Sequence, residues 1–106
     1  MITENEVEKA LDWLRDHAEE AAEKRAERLH MEEYRKSLKA LIMREHLDKA
    51  VNAQEREAYA DARYIEHLEA MKTAIFEDEK GRFLREAASD KISAWQTFSA
   101  NSRPKI

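Results

Sequence analysis

The sequence has 106 residues, 19 Lys and Arg against 23 Asp and Glu for a net charge of −4, no cysteine, one glycine (Gly81) and one proline (Pro104). That length holds one domain, the scarcity of Gly and Pro leaves little material for the turns of a sheet, and the missing cysteines exclude disulfides and thiolate metal sites. Ala, Glu, Lys, Leu and Arg supply 61 of the residues, more than the roughly one half that marks long helices and coiled coils, so the fold class is all-α.

The expected elements begin with a long helix A over about 4–48. Thr3 is its N-cap, Glu6 completes a capping box, and Ile2 with Val7 forms a hydrophobic staple across the start. Val7, Leu11, Leu14, Ala18, Ala22, Ala26, Leu29, Tyr34, Leu38, Leu41 and Ile42 then recur at three- and four-residue steps with no breaker before about residue 48. At 1.5 Å per residue such a helix is roughly 65 Å long, more than a domain of this mass encloses. The strip from Ala18 to Arg28 presents only alanines, and larger residues on an opposing helix are expected to cover it. Asn52 can cap a new helix with Glu55 at its third position, and Asp61 offers a second cap nine residues on. The preferred reading is a short helix over about 53–60 followed by helix B over about 62–98, with a continuous helix from 53 as the alternative. Tyr64, Leu68, Met71 and Ile75 form one stripe of helix B, and Phe83 or Leu84, Ala88, Ile92, Trp95 and Phe98 form the next. Gly81 between them costs about 1 kcal/mol relative to alanine, which a continuous helix tolerates. Residues 99–106 read as a frayed tail.

Charge falls in blocks: −5 over residues 1–24, +2 over 25–49, −5 over 50–79 and +4 over 80–106. Each long helix is acidic first and relatively basic later, which suits its own dipole, and folding B back on A sets opposite charges together. A long antiparallel helical hairpin, coiled-coil-like, is the simplest arrangement, although two chains paired antiparallel fit the same pattern. Only 19 residues are Leu, Ile, Val or Phe, a modest core for a short chain, so an oligomer is expected. The core or oligomer interface is expected at Leu11, Trp13, Leu14, Tyr34, Leu38, Leu41, Tyr64, Leu68, Ile75, Phe83, Ile92 and Trp95. No apolar run approaches the roughly 20 residues of a membrane span, and the chain opens with acids, so an unprocessed cytoplasmic protein with no membrane partner is the expectation.

Few chemical motifs stand out. Glu27 and His30 make a Glu-x-x-His pair, half of a carboxylate-bridged di-metal site, but no second pair exists, and a metal is not expected. There is no phosphate loop, nucleophile elbow or zinc-protease motif, so no enzyme, cofactor or small-molecule substrate is expected. The stronger signal is cationic. At 100° per residue Arg25, Arg28, Arg35, Lys36 and Lys39 fall within about a 100° arc of helix A, joined by His46, beside the apolar face. Such a stripe can follow a phosphate backbone, while Glu32 inside it and acids on helix B offer ordinary ion pairing as the alternative use. Lys80, Arg82, Arg85 and Lys91, followed by Trp95, Phe98, Arg103 and Lys105, form a second basic stretch with aromatics suited to unpaired bases. Trp95 and Phe98, three apart, also fit a core or dimer interface, with Trp13 as their neighbour in an antiparallel hairpin.

Arg35-Lys36-Ser37-Leu38-Lys39-Ala40 with Met43, Gln54-Glu55-Arg56-Glu57-Ala58-Tyr59-Ala60 with Tyr64, and Ile92 and Trp95 before Ser99-Ala100-Asn101 resemble a group of small helical proteins of tailed bacteriophages and prophages. The resemblance covers roughly residues 25–103, and that group tends to be encoded near replication and recombination functions. In layout the chain is also similar to the phage recombination mediator family UvsY, with a helix ending rich in Lys and Arg, a joint, and a long second helix. That likeness implies an oligomer that binds single-stranded DNA and helps load a recombinase, with Arg35, Lys36 and Lys39 at the basic helix end.

The expected function is therefore a non-enzymatic phage or prophage accessory protein in DNA recombination or replication. Its expected partners are copies of itself and single-stranded DNA or recombination and replication proteins. The alternative is an acidic inhibitor or adaptor whose blocks 1–24 and 50–79 engage a basic protein. A helical spacer within a virion is a third reading.

Overall fold

In the computed structural model, which describes residues 1–102, every regular element is helical. The order is α1 (Glu4–Asp16), α2 (Ala18–Met43), a 3-10 turn (Arg44–His46), α3 (Val51–Ala60) and α4 (Ala62–Asn101). The class is all-α and the chain folds back as an antiparallel helical hairpin. Two compact units divide it: Met1–Ala22 with Glu79–Ile106, and Glu23–Asp78. The part of the expected tail at 103–106 lies outside the described residues.

The start of α1 follows the capping chemistry read from its sequence. The Thr3 hydroxyl accepts from the Glu6 amide at 3.2 Å while the Glu6 carboxylate accepts from the Thr3 amide at 3.4 Å, and Val7 and Ala10 are buried. The single helix expected to about 48 is instead interrupted at His17, whose backbone leaves helical values at φ −103° and ψ 5°. There the imidazole Nδ1 and the backbone amide of the same residue both meet the Trp13 carbonyl, at 2.8 and 3.0 Å. The side chain competes with the ladder for one acceptor, the kind of intrusion that bends helices. Helical bonding resumes at once, since Ala21 donates to the His17 carbonyl at 2.9 Å. The first long helix then stops at Met43, five residues early, and gives way to the 3-10 turn.

The chain reverses within the second unit. Lys49 donates to the His46 carbonyl at 3.0 Å, and the side-chain amide of buried Gln54 donates to the Lys49 carbonyl at 2.8 Å. Ala50, not Asn52, is the N-cap of α3, so the short helix begins two residues before the expected start. Asn52 lies inside the first turn, where its carbonyl oxygen accepts from the Ala53 amide at 2.9 Å. The cap role passes instead to a backbone already shaped by the Gln54 bond. Asp61 does act as a cap: its carboxylate accepts from the Arg63 amide at 2.8 Å and separates α3 from α4. From Asp61 the helix runs without a break through Gly81 to Asn101, past the expected end at 98.

The core of this unit is small and complete. Ile42 and Ala58 have no exposed surface, Tyr64 retains 7%, and Leu38 and Met43 pack around them. Tyr59 meets Tyr64 edge-on with ring centres 5.4 Å apart. Met71 is buried farther along α4. Antiparallel pairing of α2 with α4 is set by Lys24–Glu77, Arg28–Asp78 and a 2.7 Å hydrogen bond from His67 Nε2 to the Met31 carbonyl.

Of the expected interface residues, Tyr64 is buried, and Trp13, Leu14, Leu38, Ile75, Ile92 and Trp95 are half-buried. Leu11, Tyr34, Leu41, Leu68 and Phe83 stay exposed. The alanine strip departs from expectation: Ala18, Ala22 and Ala26 are exposed. The three alanines span about 80° of the helix on the side turned away from the line through Lys24 and Arg28 that meets α4.

Candidate nucleic-acid interface

The five cations expected to form a stripe on helix A all lie on α2, and the structure divides them. Arg28 donates through Nη1 to Asp78 Oδ2 at 3.1 Å and through Nε to Glu32 Oε1 at 3.0 Å. Asp78 is 6% exposed, so its charge is compensated where water cannot do so, and losing Arg28 would strand a buried carboxylate. Lys39 sits 3.7 Å from Glu55 and 4.7 Å from the ring centre of Tyr59. The Tyr59 side chain first, and Glu55 after it, holds the Lys39 ammonium above the ordinary lysine range. Among the described residues Lys36 meets only its helix neighbour Glu33, at 3.5 Å, with both side chains well exposed. Arg25 and Arg35 are exposed and have no hydrogen-bonded or ion-paired partner among the described residues.

The division follows from the angle at which α2 packs. Leu38 and Leu41 place the apolar face near one side of the helical wheel, but the line that meets α3 and α4 also includes Lys24, Arg28, Lys39 and Ile42. That line is rotated by about 60° toward the basic stripe. Acids at 55, 77 and 78 then neutralise its near edge. His46, which extends the stripe only if the helix continues, falls in the 3-10 turn and loses the phase. Lys24 was not legible as a cross-helix partner, because Glu77 faces it only once the register of the hairpin is fixed.

Among the described residues the Glu27–His30 pair gathers no further metal ligands. His30 stacks on Tyr34 with centres 6.1 Å apart, and Tyr34 meets His67 edge-on at 5.5 Å. Glu27 lines an open groove of about 620 Å³ with Glu23, Lys24, Met31, Ala70, Thr73, Ala74 and Glu77. Among the described residues no group of three or more His, Cys, Asp or Glu is placed to hold a metal ion.

The second basic stretch lies in the other unit, on the C-terminal half of α4, with Arg103 and Lys105 outside the described residues. Arg82 is clamped by Glu79 at 2.6 Å and Glu86 at 2.8 Å, and the Glu79 hydrogen bond leads in holding its guanidinium protonated. Lys80, Arg85 and Lys91 have no carboxylate partner among the described residues. Trp13 stacks on His17 at 4.4 Å and lines a groove with Leu84, Ala87, Ala88 and Lys91. The register therefore sets Trp13 opposite Leu84 and Ala88, whereas the sequence reading set it beside Trp95 and Phe98.

Among the described residues no helix is long and apolar enough to cross a membrane. Comparison with known proteins adds no relative: no family model, no curated protein and no solved structure matches the chain.

Proposed function

We propose that the chain is a non-enzymatic accessory protein of phage or prophage type, oligomeric, that works in DNA recombination or replication by contacting single-stranded DNA or the proteins that coat it. The observation that carries the reading is the pair of exposed guanidiniums on α2, Arg25 and Arg35, which no carboxylate among the described residues neutralises. Lys36, paired with its exposed neighbour Glu33, joins them. Arg28 and Lys39 act in this reading as the fixed edge of the stripe, keeping α2 in register while the three outer cations meet phosphates. Leu11 and Leu41, exposed in the single chain, are the side chains that copies of the chain would cover.

Fluorescence anisotropy of labelled single-stranded and duplex oligonucleotides over a salt series tests this. Three phosphate contacts at roughly 0.7 each contribute about −2 to the salt slope on the single strand. Replacing Arg25 and Arg35 by Glu should remove most of the binding. The acidic adaptor is the second reading, supported by Glu19, Glu20 and Glu23, which are exposed and have no ion-pair partner among the described residues. Charge reversal of those three should leave DNA binding intact. Loss of function on that reversal, with Arg25→Glu and Arg35→Glu silent, would establish the adaptor instead.

A further inference from the structure

Resting on the nucleic-acid reading above, we propose that the C-terminal half of α4 is a second single-strand contact, at which Phe83 and Phe98 stack on unpaired nucleobases while Lys80 and Lys91 neutralise the phosphates between them. The face is defined by helix geometry. Lys80, Phe83, Ala87, Lys91, Ala94 and Phe98 fall within about an 80° arc, and the two aromatics are about 22 Å apart along the axis, enough for several nucleotides.

Three observations support this ligand chemistry. Phe83 is 59% exposed and Phe98 46%, so both rings are open in the folded chain. Lys80 and Lys91 have no carboxylate partner among the described residues, whereas Arg82, which stands 4.6 Å from the centre of Phe83, is held between Glu79 and Glu86. No acid falls within the arc, and Glu79, Glu86 and Asp90 lie along its Phe83 edge. Finally, the face borders a groove of about 360 Å³ whose lining includes Trp13, Leu84, Ala87, Lys9 and Lys91. Glu6 also lines it but is turned to the Thr3 amide in the capping box.

A second copy of the chain fits the face less well. Parallel self-pairing sets each lysine against itself, and antiparallel self-pairing centred on the face sets Lys80 against Phe98 and Lys91 against Ala87, so neither brings a carboxylate to the lysines. A lipid surface needs a continuous apolar band, and here Lys91 stands between the two phenylalanines on the same face. A strand of phosphates bearing flat bases matches both the free cations and the spaced rings.

The test measures anisotropy of the full chain with a labelled thymidine 20-mer and with an abasic 20-mer of the same backbone. Phe83→Ala and Phe98→Ala should each weaken binding to the thymidine strand about tenfold and leave the abasic strand unchanged. Lys80→Glu with Lys91→Glu should flatten the salt slope by about 1.4 on both. Circular dichroism checks that these surface variants keep their helices. Unchanged binding by the α4 variants, with loss in the Arg25→Glu, Arg35→Glu chain, would overturn this site and leave the nucleic-acid reading standing. Failure of the unaltered chain to bind either strand at about 50 mM salt would overturn that reading itself and this site with it. If the phenylalanine variants weaken self-association in sedimentation but not DNA binding, the face belongs to a second copy and the proposal fails.

Discussion

Two regions of the molecule use similar composition to opposite ends. Around Ile42, Ala58 and Tyr64, three helical segments meet and leave almost no surface on the residues at their centre, and the surrounding charges are spent on Lys39–Glu55, Lys49–Glu57 and Arg63–Glu45. Along the C-terminal half of α4, Phe83, Leu84 and Phe98 remain exposed and several cations stay unpaired among the described residues. The difference is one of helix number. A third segment, α3, closes the first region, whereas a pair of helices can bury only the inner stripe of each and leaves the rest for a partner.

The comparison breaks most visibly at its closed end. Ile42→Ala should cost about 2–4 kcal/mol in chemical denaturation, because the site is fully enclosed and relaxes only in part. Leu11→Ala, at a residue 51% exposed, should cost well under half of that. Equal losses would mean that copies of the chain already bury Leu11 in solution.

At the open end a substitution should stabilise. Gly81 lies inside α4 and does not have a positive φ, so its backbone freedom is unused. An added methyl would sit 3.1 Å from the Arg85 guanidinium, the movable end of a long side chain. Gly81→Ala should therefore raise stability by about 0.5–1 kcal/mol, read as a higher thermal midpoint. A fall would show that Arg85 is fixed where it lies.

The smallest effect is electrostatic. Hydrogen bonds from the Arg63 side chain and amide hold the Asp61 carboxyl at about 2, below its ordinary 3.8, so folding favours the ionised form. The contribution is complete above about pH 4 and is lost as the pH falls toward 2; Glu57, also lowered, by Lys49, titrates in the same direction. Asp61→Asn keeps a capping oxygen without the charge and should remove its share of the acid dependence of the thermal midpoint.

Much of the architecture was legible because it rests on local chemistry. Thr3 and Glu6, Asp61, and the stripe from Tyr64 to Ile75 act within a few residues of themselves, and their roles follow from spacing. What escaped the sequence depends on distant atoms or on fine angles. The interruption at His17 comes from an imidazole choosing a carbonyl, the start of α3 from Gln54 reaching Lys49, and the pairing of Arg28 from the register that brings Asp78 opposite. The five-cation stripe was visible as a pattern, but which of its members stay available depends on a rotation of about 60° that periodicity alone does not fix.

Alanine makes up 17 of the 106 residues, and the letter covers two different constraints. Ala58, with no exposed surface, fixes how closely α3 approaches its neighbours, while Ala18, Ala22 and Ala26 lie open along α2. In a library of random variants, position 58 should accept little beyond the smallest residues and the other three almost any helix former. Descendants of this sequence are free to recolour the long helix, and so to change its clientele, while the methyl group at the turn stays as it is.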